Sequence, residues 1–263
     1  MRPVRPLLSA EPPESTDLGQ GGQPAGSGLF GRLLILALIV LASLLLAAGL
    51  LGLWRLTRLF QEDDAMTRWV DGSRHGRWLA VFDGYGRTTA GEVDGEEVIS
   101  LAPKPALAPD TTHASLVIGA DHSTDVRVTA QLRTLRQLRA PGPHPWEVGW
   151  LLWHYADTGH FYAFTLKTNG WELTKQDPAY PGGQRFLASG EMPHAAVATW
   201  YAIEIIQVGG AITVAVDGVP TADLTDAERP YLAGAVGLYC EDSEVEFRRV
   251  TVGTAPPAPR PRS

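Results

Sequence analysis

The chain predicts an all-β fold, a two-sheet jelly-roll sandwich, preceded by one transmembrane helix. Three observations carry this. Nine short runs rich in β-branched and aromatic residues follow one another from residue 77 onwards. Turn-forming dipeptides separate most of them, and residues 33–54 form an unbroken apolar stretch. Strands never alternate with long helical patterns, which favours antiparallel sheets packed face to face over a parallel α/β arrangement.

Residues 1–32 are rich in Pro, Gly, Ser and Glu and read as a disordered N-terminal tail. Residues 33–54 (LLILALIVLASLLLAAGLLGLW) carry no charge and are bracketed by Arg32 and Arg55. At about 1.5 Å per residue they span roughly 33 Å, enough to cross a hydrocarbon core, and Trp54 would sit at the interface. A buried core helix would rarely be apolar all round, and a cleaved leader would have a far shorter preceding region. Arg55, Arg58 and Arg68 on the C-terminal side outnumber Arg32, a charge pattern that pulls that side inward. Long domains translocate largely regardless of such charges, so the reading is a single-pass membrane protein whose C-terminal domain is extracytoplasmic.

Residues 60–253 form the sandwich. Its expected strands are 77–82, 125–133, 147–155, 160–167, 170–175, 200–208, 211–218, 235–241 and 245–252. Asn169-Gly170, Gly209-Gly210 and Asp217-Gly218 supply hairpin turns. Residues 188–199 read as a loop, and 132–139 (LRTLRQLR) has the spacing for one or two helical turns. Residues 254–263 are Pro-rich and read as a second disordered tail.

Charge excludes one class of partner. The whole chain carries a formal net charge of −7, and residues 59–253 hold 15 Lys/Arg against 26 Asp/Glu. Nucleic-acid binding would require a basic footprint that this domain lacks. Cys240 is the single cysteine, so no internal disulfide forms, and it reads as a small buried side chain.

The segment from Trp146 to Lys175 is the best candidate site, with four tryptophans, two tyrosines, two lysines and two glutamates. Indole faces stack on sugar rings and similar ligands while their polar tips stay wet. Strand alternation places Val148, Trp150, Leu152 and His154 on one face, and Glu147, Gly149, Leu151, Trp153 and Tyr155 on the other. Tyr162, Phe164 and Leu166 read as core. The expected strip is therefore Trp153, Tyr155 and Trp171 as stacking faces, with Glu147, Lys167, Glu172 and Lys175 bonding hydroxyls. A large aromatic core with ordinary surface charges is the competing reading.

The order of these runs resembles a known family. A Trp-rich strand precedes LKTNGWEL, then WYAIEIIQVGGAITVAVDGV, then GAVGLYCEDSEVEFRRVTV. This is similar to the concanavalin A-like lectin/glucanase superfamily, particularly its laminin-G-like and 3-keto-disaccharide hydrolase-like jelly rolls. Trp200, Asp217, Gly218, Gly234, Gly237 and Phe247 occupy the hairpin, glycine and closing-strand positions of that pattern. The resemblance implies a fold and, more loosely, glycan binding or sugar cleavage. Many of its members hold a structural calcium.

Two further motifs offer chemistry of their own. Glu92, Asp94 and Glu97 match the E-x-D-x-x-E spacing of family 16 glycoside hydrolases, yet Asp94-Gly95 is a turn dipeptide and a solvated turn fits better. Acidic residues near both ends of the domain, with Asp64 and Asp242 as the candidate ligands, would suit Ca2+, although no D-x-D-x-D-G loop is present. His154 and His160 lack zinc partners at usable spacing. The expected function is a membrane-anchored domain binding carbohydrate, such as a cell-envelope polysaccharide, or another polar surface ligand, held to the lipid bilayer through residues 33–54. A glycoside hydrolase-like enzyme using Glu147 and Glu172 is the alternative, and an envelope protein-interaction module with a flat apolar patch is the third.

Overall fold

The structure, a computed structural model, describes residues 40–50, 52, 66–120, 124–140 and 142–255. The chain divides into two compact units, Met1–Arg58 and Leu59–Ser263. In the first, residues 40–50 and 52 are helical and exposed. The rest of the 33–54 run, the 1–32 tail and residues 256–263 lie outside the described residues. Among the described residues no helix is long and apolar enough to cross a membrane.

The second unit is built of strands. In chain order they are β1 (Met66–Trp69), β2 (Arg74–His75), β3 (Trp78–Phe82), β4 (Arg87–Val93), β5 (Glu96–Ala102), β6 (Ala114–Gly119), β7 (Val126–Gln137) and β8 (Gly149–Asp157). There follow β9 (His160–Lys167), β10 (Gly170–Gln176), β11 (Gln184–Gly190), β12 (Tyr201–Val208), β13 (Ala211–Val216), β14 (Val219–Thr225), β15 (Ala235–Glu241) and β16 (Ser243–Thr254). The first sheet runs β1-β4-β5-β16-β7-β12-β13-β14 and the second β11-β10-β9-β8-β15-β6-β3-β2. The strand pairings among the described residues are antiparallel, and the two-sheet sandwich read from the sequence is present.

The core lies between the sheets and follows period-two alternation. From the first sheet Ile99, Leu101, Val128, Leu132, Ile203, Ile205, Val214 and Phe247 enter it. From the second come Val117, Leu151, Trp153, Tyr162, Phe164, Leu173, Val236, Leu238 and Cys240. Opposite residues across an antiparallel pair share a face, so each hairpin propagates the pattern to its neighbour. Cys240 is fully buried, and burial pushes its thiol pKa up.

Several local readings are corrected. Residues 132–137 belong to β7, because Leu132 and Thr134 point inward while Arg133 pairs outward with Glu246, a period of two rather than 3.6. Gln184–Gly190 is an edge strand, so part of the 188–199 stretch is not loop. Thr254 closes β16 instead of opening a tail. Glu92–Glu97 spans the β4–β5 turn, with Asp94 at φ 53° and Gly95 at φ 79°, a left-handed pair that suits a tight hairpin.

Candidate functional site

Alternation along β8 has the opposite phase to that expected. Leu151 and Trp153 point into the core, whereas Trp150 and Leu152 face outward. The pairing then slips between Trp153 and Asp157, with His154 at φ 48°. This irregularity turns Tyr155 onto the outer face, where it stacks with Phe161 at 5.8 Å. Gly234 permits the bend: a Cβ there would lie 2.3 Å from the His154 carbonyl carbon.

The phase change redistributes the expected strip. Trp153 is fully buried and its Nε1 donates to Gln207 Oε1 at 2.7 Å. Trp171 is 6% exposed and donates to the Met192 carbonyl at 2.9 Å. Neither offers a face to a ligand. Lys175 is fully buried, donating to Asp226 Oδ2 at 2.8 Å and to the Glu228 and Arg229 carbonyls. Tyr162 also donates to Asp226 Oδ2, at 2.7 Å. Burial alone would raise the Asp226 pKa, but the bonds from Lys175, Tyr162 and the Glu228 amide hold it below the ordinary carboxylate value.

Glu147 is likewise spent inside the protein. Arg139 donates to Glu147 and, at 2.7 Å, to Asp242 Oδ2, and both carboxylates are essentially buried. Asp242 Oδ1 accepts the Ala106 amide at 2.9 Å. The arginine also reaches the Ala108 and Thr111 carbonyls, so the cluster fastens the 103–113 segment to the start of β8. A guanidinium thus takes up the Asp242 carboxylate, and Asp64 lies outside the described residues. Among the described residues no group of three or more His, Cys, Asp or Glu is set to hold a metal. Glu147 and Glu172 are not brought together across a groove.

Lys167 and Glu172 do face outward, and they pair with each other. Around them the outer face of the second sheet is ordered in rows by register. One row runs Glu172, Thr165, Trp150, Tyr239, and the next runs Thr174, Ala163, Leu152, Gly237. Gln176 and Phe161 begin a third. The middle row is made largely of short side chains, so the rows beside it stand higher.

The result is an open groove of about 540 Å³ lined by Trp146, Trp150, Thr158, Phe161, Glu172, Gln176, Gln184, Phe186, Tyr239 and Glu241. Trp150 packs edge-on against Tyr239 at 5.2 Å, and its Nε1 is held by the Trp146 carbonyl at 2.8 Å. Trp146 stacks on His144 at 4.4 Å, leaving the indole 40% exposed. The Tyr239 hydroxyl donates to Glu241 Oε1 at 2.7 Å. Burial raises the Glu241 pKa; the Tyr239 bond opposes this, while the negative charges of Asp242 and Glu147 add to it. Trp150 was absent from the expected strip because the phase of β8 was inverted, and Tyr239 and Glu241 because no pairing of β15 beside β8 was foreseen.

The comparisons bear on the same domain. The 3-keto-alpha-glucoside-1,2-lyase-like domain matches residues 59–253. The carbohydrate-binding module CBM66 from Bacillus subtilis is similar in fold, with TM-score 0.51 and 14% identity over 70% of this chain and 100% of that one. A GH16 protein of Bacteroides ovatus, solved with a G4G4G3G product, gives TM-score 0.45 and 6% identity over 72% of this chain and 93% of that one. No curated protein matches. The family match agrees with the concanavalin A-like resemblance read from the strand order, and covers most of the chain. This chain therefore belongs to the 3-keto-alpha-glucoside-1,2-lyase-like domain family.

Proposed function

We propose that the outer groove of the second sheet binds a carbohydrate chain, and that residues 33–54 tether the domain to a membrane so that it meets glycans outside the cytoplasm. The observation that carries the reading is the lining of the groove. Trp146, Trp150, Phe161, Phe186 and Tyr239 supply apolar faces, and Glu172, Gln176, Gln184 and Glu241 supply hydrogen-bonding tips between them. Sugar rings present apolar C–H faces and equatorial hydroxyls, so they need both elements in alternation. The flat apolar patch expected of a protein-interaction module is not what this face offers. The family and the Bacillus subtilis carbohydrate-binding module, similar in fold, support the same ligand class.

Binding to a glycan array by the full-length chain tests this. Trp150→Ala removes a stacking platform and is expected to weaken binding about tenfold or more, measured at a temperature where circular dichroism shows the variant folded. Unaltered binding by that variant would count against the groove.

Sugar cleavage is the second reading, favoured by Glu241. A half-buried carboxyl whose pKa is raised, standing in the groove with Glu172, is placed to carry a proton. Release of new saccharide ends from a bound glycan would support it, and intact glycan after prolonged incubation would oppose it.

A further inference from the structure

The two groove carboxylates differ in how their charge is answered. Glu172 is neutralised within the protein by Lys167. Glu241 accepts a bond from the Tyr239 hydroxyl, and among the described residues no Lys or Arg forms an ion pair with it. Arg139, the cation that acts on it from behind, already spans Glu147 and Asp242. Three carboxylates therefore share one guanidinium at this end of the groove, and only Glu241 among them lines the open side. A partly dehydrated carboxylate with no ion-pair partner of its own gains most from a cation arriving with the ligand.

Resting on the carbohydrate reading above, we propose that this groove selects sugars that carry a free amino group, with the ammonium seated against Glu241. Trp150 lies beside Tyr239, so a ring stacked on the indole sits next to the carboxylate. Neutral sugars bind the aromatic platform without this contact. Uronates and sulfated sugars meet an uncompensated negative charge.

Titration of the full-length chain with four oligosaccharides of equal length tests the inference: an oligoglucosamine, its N-acetylated counterpart, a neutral glucose oligomer and an oligouronate. At about pH 6 the free amine is largely protonated, and the oligoglucosamine is expected to bind about tenfold tighter than the neutral oligomer. The oligouronate is expected to bind weakest, and the preference should shrink as salt is raised. In Glu241→Gln the ratio of amine to neutral affinity should fall towards one. Equal affinity for the amine and its N-acetylated form, a stronger oligouronate, or a ratio that survives Glu241→Gln would overturn the proposal while leaving glycan binding in place. Absence of binding to all four would remove the carbohydrate reading and this inference with it.

Discussion

The two faces of strands β8–β10 contain nearly the same chemistry and put it to opposite uses. On the inner face Trp153 and Lys175 are sealed and satisfied, the one by Gln207 and the other by Asp226, which reaches in from the end of β14. On the outer face Trp150, Lys167 and Glu172 stand at or near the surface beside Tyr239 and Glu241. Residue type alone does not distinguish a core from a site. What distinguishes them is whether each polar group has spent its bonds inside the protein.

The largest expected effect comes from breaking the inner face. Lys175→Met leaves the buried Asp226 with only the more distant Arg185, at 3.8 Å, as a cation, and removing the close partner of such a pair costs about 3 kcal/mol. Lys167→Met disrupts the outer pair, whose side chains are 13% and 24% exposed, and because water still reaches and screens that pair the loss should be smaller, about 1–2 kcal/mol. Urea unfolding of both variants measures the contrast. Equal losses would erase the distinction between the faces.

His154 sharpens the comparison through pH. It sits where β8 passes from one phase to the other, 2% exposed, with neither ring nitrogen hydrogen-bonded. Burial lowers its pKa to about 4, with Asp125 opposing weakly. The folded state therefore disfavours the charged ring. Stability from this group is fully present above the ordinary value of 6.5, falls as pH drops from 6.5 towards 4, and then levels off. That depression corresponds to a loss of about 3 kcal/mol. His154→Phe should flatten this part of the stability–pH curve, whereas an unchanged curve would show that the ring is not held neutral.

Much of the fold was legible because strand periodicity and turn dipeptides are local signals. Gly209-Gly210 and Asp217-Gly218 each close a hairpin, whereas at Asn169-Gly170 the turn falls one residue earlier, on Thr168-Asn169, and Gly170 opens β10 opposite Lys167. The strands missed include polar patterns such as Arg87–Val93 and Gln184–Gly190, whose pairing is set by tertiary neighbours, but also the short apolar runs Glu96–Ala102 and Ala114–Gly119. The site was half legible. The 146–175 segment does supply Trp146, Trp150, Phe161 and Glu172 to the groove, but Trp150 and Trp153 were exchanged. Register contains the missing information: Trp153 pairs with Tyr162, which already read as core, so Trp153 must share its inward face. The same parity sends Lys175 inward opposite Tyr162 and leaves Glu172 outside opposite Thr165. The Arg139 cluster was not legible, because it joins residues about a hundred positions apart across loops.

The most direct test of the central claim is hydroxyl-radical footprinting of the full-length chain, with and without a bound oligosaccharide. The account predicts oxidation at Trp146, Trp150 and Phe186 in the free protein, protection of these side chains by the glycan, and silence at Trp153 and Trp171 in both states. Oxidation of Trp153, or protection that falls on the outer face of the other sheet, would contradict it.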